Sequence, residues 1–163
     1  MDDHTRILEQ LRRTYDGEAW YGPSFRALLA DVDAATAAAR PIPTAHTIWE
    51  LVRHVTVWLD AVRRRLAGEH VEYADDTDWP AMPATPTRDA WAATLDLLEQ
   101  AERALERALE RMPTAALHDQ VPGRHYTAAV MLHGVVQHAA YHAGQIALVR
   151  KAARARPAPP RGA

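Results

Sequence analysis

The sequence predicts an all-α protein, a four-helix bundle, from three observations. Four long stretches carry apolar residues at helical spacing, near 3–16, 47–66, 87–112 and 127–153. Glycine and proline punctuate the chain between them, at Gly17, Pro41 and Pro43, Gly68, Pro80 to Pro86, Pro113 and Pro122-Gly123. Two of the long stretches open on a capping residue directly before an apolar run, Thr47 and Thr127.

The first helix follows from Ile7, Leu8, Leu11 and Tyr15, with Arg and Glu on the other side and Gly17 as a stop. Glu18-Ala-Trp20-Tyr21-Gly22-Pro23 then breaks the period. Ser24 is placed to cap a short helix through Leu29, and Asp33 another through Ala39. The run Arg40-Pro-Ile-Pro43 ends that segment, because each proline disfavours helix in the residue before it.

Thr47-Ile-Trp-Glu50 has the capping-box pattern, in which the Thr hydroxyl and the Glu carboxylate each satisfy a backbone N–H of the first turn. Ile48, Leu51, Val52, Val55, Trp58, Leu59, Val62 and Leu66 then make a broad apolar face, closed by Gly68. Residues 69–86 are irregular, and longer than the usual link between bundle helices. A connection that long can run the length of a bundle, which fits second and third helices lying parallel. The third helix carries the stripe Trp91, Leu95, Leu98, Leu105, Leu109 and Met112, with repeated Glu-Arg pairs on a wet face. Thr127 caps the fourth, which continues to about Ala153. Domain organisation is thus one domain over 1–153 and a Pro-rich tail over 154–163, disordered by composition.

Composition narrows the chemistry. The chain has 163 residues, 48% hydrophobic and 25% charged, with a net charge of −2, too balanced for nucleic-acid or anionic-membrane binding. It contains no cysteine, so disulfides, thiolate metal sites and a cysteine nucleophile are excluded. The amino terminus lacks the basic and apolar regions of a signal peptide, and no apolar run reaches the length of a membrane span, so a cytoplasmic location is expected. There is no His-Glu-x-x-His, phosphate-binding glycine loop, Gly-x-Ser-x-Gly elbow or Glu-x-x-His pair.

The histidines carry what signal there is. His138 and His142 are four apart in helical sequence, so both rings stand on one face with Cβ atoms about 5–6 Å apart, a spacing that suits chelation of one ion. His54 sits among Val55 and Trp58 on the apolar face of the second helix. A lone histidine there is more often a satisfied core residue than a ligand, and a bundle equally brings such a ring against a pair on another helix. Three neutral imidazoles would leave coordination positions open, the arrangement of a catalytic metal site. Gln145, Gln137 and Glu50 are placed to hold the outer nitrogens of the rings, although Glu50 is better read as the capping-box acid. Trp20, Tyr21, Trp58 and Tyr141 are candidates for an apolar pocket, with core packing as the alternative. His133 is turned away from the pair, and Gly134 and Gly144 are expected to permit close helix approach near the site, with flexibility alone as the alternative.

Ile48-Trp-Glu-Leu-Val-Arg-His54-Val-Thr-Val-Trp58, with Gly134-Val-Val-Gln-His138-Ala-Ala-Tyr-His142-Ala-Gly-Gln145-Ile, resembles the DinB/YfiT-like superfamily, as do Trp20-Tyr-Gly-Pro-Ser24 and Arg40-Pro-Ile-Pro43. The resemblance implies an up-down-down-up bundle, often homodimeric, with a divalent metal such as zinc or nickel on His54, His138 and His142. It also implies a metalloenzyme, an S-transferase or hydrolase, acting on a small electrophilic substrate with water or a low-molecular-weight thiol. A non-catalytic, stress-related metal-binding protein of the same fold is the alternative.

Overall fold

A computed structural model describes residues 2–155. Its first helix, α1 (Asp3–Asp16), begins where the Asp2 side chain accepts from the Thr5 N–H at 2.8 Å, and it buries Ile7, Leu11 and Tyr15. Where the periodicity stops, the chain makes a minimal antiparallel hairpin, β1 (Glu18–Ala19) against β2 (Gly22–Pro23), with Trp20 and Tyr21 at its tip. Gly22, at φ +139°, is what lets so short a connection close. Two short helices follow, α2 (Phe25–Leu29) capped by Ser24 and α3 (Ala34–Ala38) capped by Asp33.

The next helix, α4 (Ile48–Leu66), has the full capping box. Thr47 Oγ1 accepts from the Glu50 N–H at 3.1 Å, and Glu50 Oε2 accepts from the Thr47 N–H at 2.7 Å. Arg40 adds a fork onto the same carboxylate at 2.7 and 2.8 Å, so Glu50 is fully engaged at the helix start. The other end closes on Gly68, φ +87°, with Glu69 N–H bonded to Arg64 O and Gly68 N–H to Arg65 O, a Schellman pattern.

Residues 69–86 contain one short helix, α5 (Asp75–Asp78), and are otherwise without regular structure. The remaining long helices are α6 (Arg88–Arg111), capped by Thr87, and α7 (Ala128–Ala155), with a 3₁₀ turn over Thr114–His118 between them. Arg154 and Ala155 are helical, two residues past the expected end of the domain. Arg154 stays ordered by pairing with Asp31, which Arg150 also holds at 2.8 Å. The rest of the expected disordered tail lies outside the described residues.

Among the described residues the fold is all-α apart from the hairpin and one isolated bridge, Gln120 to Thr127. Both α1 and α4 pack against both α6 and α7. The core between them is dense in aliphatics around two indoles, Trp49 and Trp91, whose ring centroids are 5.0 Å apart. Each buried indole N–H is satisfied, Trp49 by Thr94 Oγ1 at 2.9 Å and Trp91 by the Val32 carbonyl at 2.7 Å. Among the described residues no helix is long and apolar enough to cross a membrane. This packing sets the inner face of α4 against the inner face of α7, which is where the histidines meet.

Candidate metal centre

His54, two turns into α4, is 5% exposed, and His142 on α7 is buried to the same degree. His138 lies one turn before His142, with ring centroids 4.4 Å apart. The three rings turn inward so that His138 Nε2 is 3.0 Å from His54 Nε2 and 3.0 Å from His142 Nε2. One ligand atom from each residue falls within 4.8 Å of the others.

The outer nitrogens fix which atoms carry protons. His54 Nδ1 is 2.9 Å from the Asp78 carbonyl and 3.1 Å from Asp78 Oδ1. Both atoms only accept, so the Nδ1–H donates and Nε2 is left with its lone pair. His142 Nδ1 likewise donates to Gln145 Oε1 at 2.6 Å, again turning the Nε2 lone pair inward. Two lone pairs therefore face His138 Nε2 at hydrogen-bond distance. Lone pairs aimed at one point repel unless a proton or a cation sits between them. A tetrahedral ion with bonds of about 2.0–2.1 Å has ligand atoms about 3.3 Å apart, close to the spacing seen.

Burial acts in the same direction. It pushes the His138 imidazole down to about 3, helped by the neighbouring His142 and His54. It also lowers His142, with the Gln145 hydrogen bond opposing. Burial thus biases His138 and His142 toward the uncharged form, the form in which imidazole ligates metal. His138 Nδ1 is buried with no hydrogen-bond partner. The donor set, three imidazoles with no carboxylate or thiolate among them, fits a divalent ion of borderline softness.

The neighbouring side chains were only partly foreseen. Gln145 orients His142, whereas Gln137 is exposed and bonds neither ring. Glu50 does not support His54. Its carboxylate is consumed by the Thr47 cap and by Arg40, and Asp78 from α5 stands at His54 instead. Trp58 lies beside His138 with centroids 5.6 Å apart, and its indole N–H donates to Asp78 Oδ1 at 2.6 Å, fixing that carboxylate. Tyr141 touches the His142 ring at 5.1 Å while remaining 65% exposed. Trp20 is fully exposed at the hairpin tip. Tyr21, 43% exposed, turns toward Thr14 of α1.

Gly134 and Gly144 also differ from expectation, since a Cβ built at either meets no atom within 4 Å. Among the described residues no helix approaches them closely. Gly134 instead forms part of the wall of a cavity of about 320 Å³ between α4 and α7, which reaches His138.

Sequence reasoning missed Trp79 and His46 as well as Asp78. The Trp79 indole lies flat on His54 at 3.9 Å and 7°, and His46 stacks on its other face at 3.7 Å and 8°. The irregular segment after α4 therefore folds back over the histidine cluster. The only signal for this was its length and its Asp78-Trp79 pair.

The sequence model of the DinB superfamily matches residues 22–146, which include all three histidines. No curated protein and no solved structure matches the chain.

Proposed function

The chain belongs to the DinB superfamily, and from that premise we propose that it is a metalloenzyme whose His54, His138 and His142 hold one divalent ion, zinc or nickel, through their Nε2 atoms. The observation that carries the proposal is the convergence of three inward-facing imidazoles from two helices, two of them locked by Asp78 and Gln145. When bound, such an ion supplies Lewis-acid chemistry, lowering the pKa of a coordinated water or low-molecular-weight thiol so that a nucleophile exists near neutral pH.

The chain's own residues do the positioning. Asp78 holds the proton of His54 on Nδ1, and Trp58 in turn holds the Asp78 carboxylate. Gln145 does the same for His142. Trp79 covers the face of His54, shielding it from water. The apolar cavity reaching His138 gives a small electrophile room beside the histidines. The Asp78 carboxylate is already engaged by His54 and Trp58, which leaves activation of the nucleophile to the ion in an S-transferase or a hydrolase.

We further read the long helices as an up-down-down-up bundle, supported by the length of the connection between α4 and α6. A homodimer through the outer face of α7 is supported by three exposed apolar residues there, Val130, Tyr141 and Leu148. That face equally suits a non-catalytic, metal-stabilised interaction protein, the second reading.

Turnover separates the two. Metal-loaded protein is screened with bacillithiol, mycothiol or glutathione and a panel of small electrophiles, and with activated esters and amides in water. Thiol consumption or hydrolysis that disappears in His142→Ala supports the enzyme. A tightly bound ion with no turnover on any member of the panel contradicts it.

A further inference from the structure

Arg65 is 5% exposed, and its guanidinium donates only to the Val71 carbonyl, at 2.8 and 3.3 Å. Its neighbours Arg63 and Arg64 pair with Asp60 and Glu69, but no carboxylate pairs with Arg65 among the described residues. Arg124 donates to the same Val71 carbonyl at 2.9 Å, also without a carboxylate, and its Nε is buried without a partner. Two guanidinium ions thus share one uncharged oxygen. A buried cation that lacks a counter-ion is costly and sets up a strong positive potential in the space beside it.

Arg65 lines two such spaces, an outer cleft shared with Arg63, Arg107 and Arg111 and the mostly apolar cavity between α4 and α7. Arg65 and His138 both line the latter, with Trp58, Val62, Met131 and Val135 supplying mostly apolar wall between them. The Arg65 guanidinium lies 5.5 Å from the centroid of the Trp58 ring, whose centroid is in turn 5.6 Å from that of His138. The cavity is therefore polarised along its length, with an unpaired cation toward one end, an apolar middle and the histidine cluster at the other.

We propose that this cavity takes a small organic carboxylate, its anionic group received by Arg65 and its apolar body lying along Trp58 and Val62 with the far end at the histidine cluster. Arg forks a carboxylate with two parallel N–H bonds, a geometry that one neutral carbonyl cannot satisfy. The proposal rests on the metalloenzyme reading for what happens at the far end, but the anion subsite stands on Arg65 alone. It names the substrate class for that centre: an electrophile or thiol adduct carrying a carboxylate about one indole's length from its reacting atom.

The test uses hexanoate, 1-hexanol and hexylamine as probes on the full chain, by calorimetry or ligand-observed NMR. It is run first on chelator-treated protein, so that no ion can take the carboxylate. Hexanoate is expected to bind at least tenfold tighter than 1-hexanol, with hexylamine weakest. Arg65→Gln, with its fold checked by circular dichroism, should erase that preference while leaving 1-hexanol unchanged. Because Arg65 also ties the segment after α4, a second variant, Gly134→Leu, fills the cavity from the opposite wall and should abolish hexanoate binding.

Equal binding of hexanoate and 1-hexanol by the parent overturns the proposal. So does a carboxylate preference that persists in folded Arg65→Gln, or hexanoate binding retained in Gly134→Leu. Metal uptake is measured alongside. Hexanoate preference without metal uptake removes the metalloenzyme reading and keeps the subsite, whereas uptake without preference does the reverse.

Discussion

Gln145→Leu is the substitution that probes the site with least collateral change. The amide is the hydrogen-bond acceptor for His142 Nδ1, at 2.6 Å, and His142 is buried. Leucine keeps roughly the volume and the helix propensity but takes no proton. Two losses follow. Without metal, a buried N–H is left unsatisfied, at a cost of about 1–3 kcal/mol. With metal, the ring loses the partner that fixes its tautomer and orientation, which typically lowers affinity about 10–100-fold, or about 1.4–2.7 kcal/mol.

The assay is a competition titration of zinc against a chromophoric chelator, with thermal unfolding of metal-free and metal-loaded protein in parallel. At a free zinc concentration of about 100 times the dissociation constant, the parent should gain about 2.7 kcal/mol from the ion. The variant at the same zinc concentration should gain as little as about 0.4 kcal/mol at the hundredfold limit, since zinc then only equals its dissociation constant. Parent-like affinity in a folded Gln145→Leu protein would refute the reasoning, because His142 would then not be a ligand held by its outer nitrogen.

Other consequences are simpler to read. In the metal-free protein the folded-state His138 titrates at about 3, below the unfolded value near 6.5, so between those limits the unfolded chain binds more protons. Stability is then fully present above about pH 6.5 and is lost as pH falls toward 3, which urea titrations at pH 7, 6 and 5 will show as a falling midpoint. His138→Ala should flatten that fall. Gly144→Ala places a methyl in open space on a helix, so it should stabilise by up to about 1 kcal/mol and raise Tm by about 2–4 °C, read by calorimetry. Trp20→Ser should leave both Tm and zinc affinity unchanged, because the indole is wholly exposed.

The parts of this molecule legible in the sequence are those governed by local rules. The α4 start could be read because a capping box is a contact between residues three apart, and Glu50 proved to belong to it. The His138 and His142 pair could be read because helix geometry alone puts them on one face. Asp78 and Trp79 could not, since their place over His54 depends on how a segment without periodicity folds back across α4. The glycines misled for a related reason. Spacing reports that a helix lacks a side chain at Gly134 and Gly144, not whether a neighbour or a void faces the gap. Hydrophobicity alone points Trp20 and Tyr21 inward, but the two-residue connection of a hairpin leaves its side chains outside.

The central claim is that imidazoles from α4 and α7 share one ion. Its most direct test is elemental analysis of the untagged chain beside His54→Ala, each after gel filtration in zinc- or nickel-containing buffer and with folding confirmed by circular dichroism. Close to one divalent ion per parent chain, and little in the variant, is the predicted result. A folded His54→Ala protein that keeps the parent's full complement, or a parent that retains none, would contradict it.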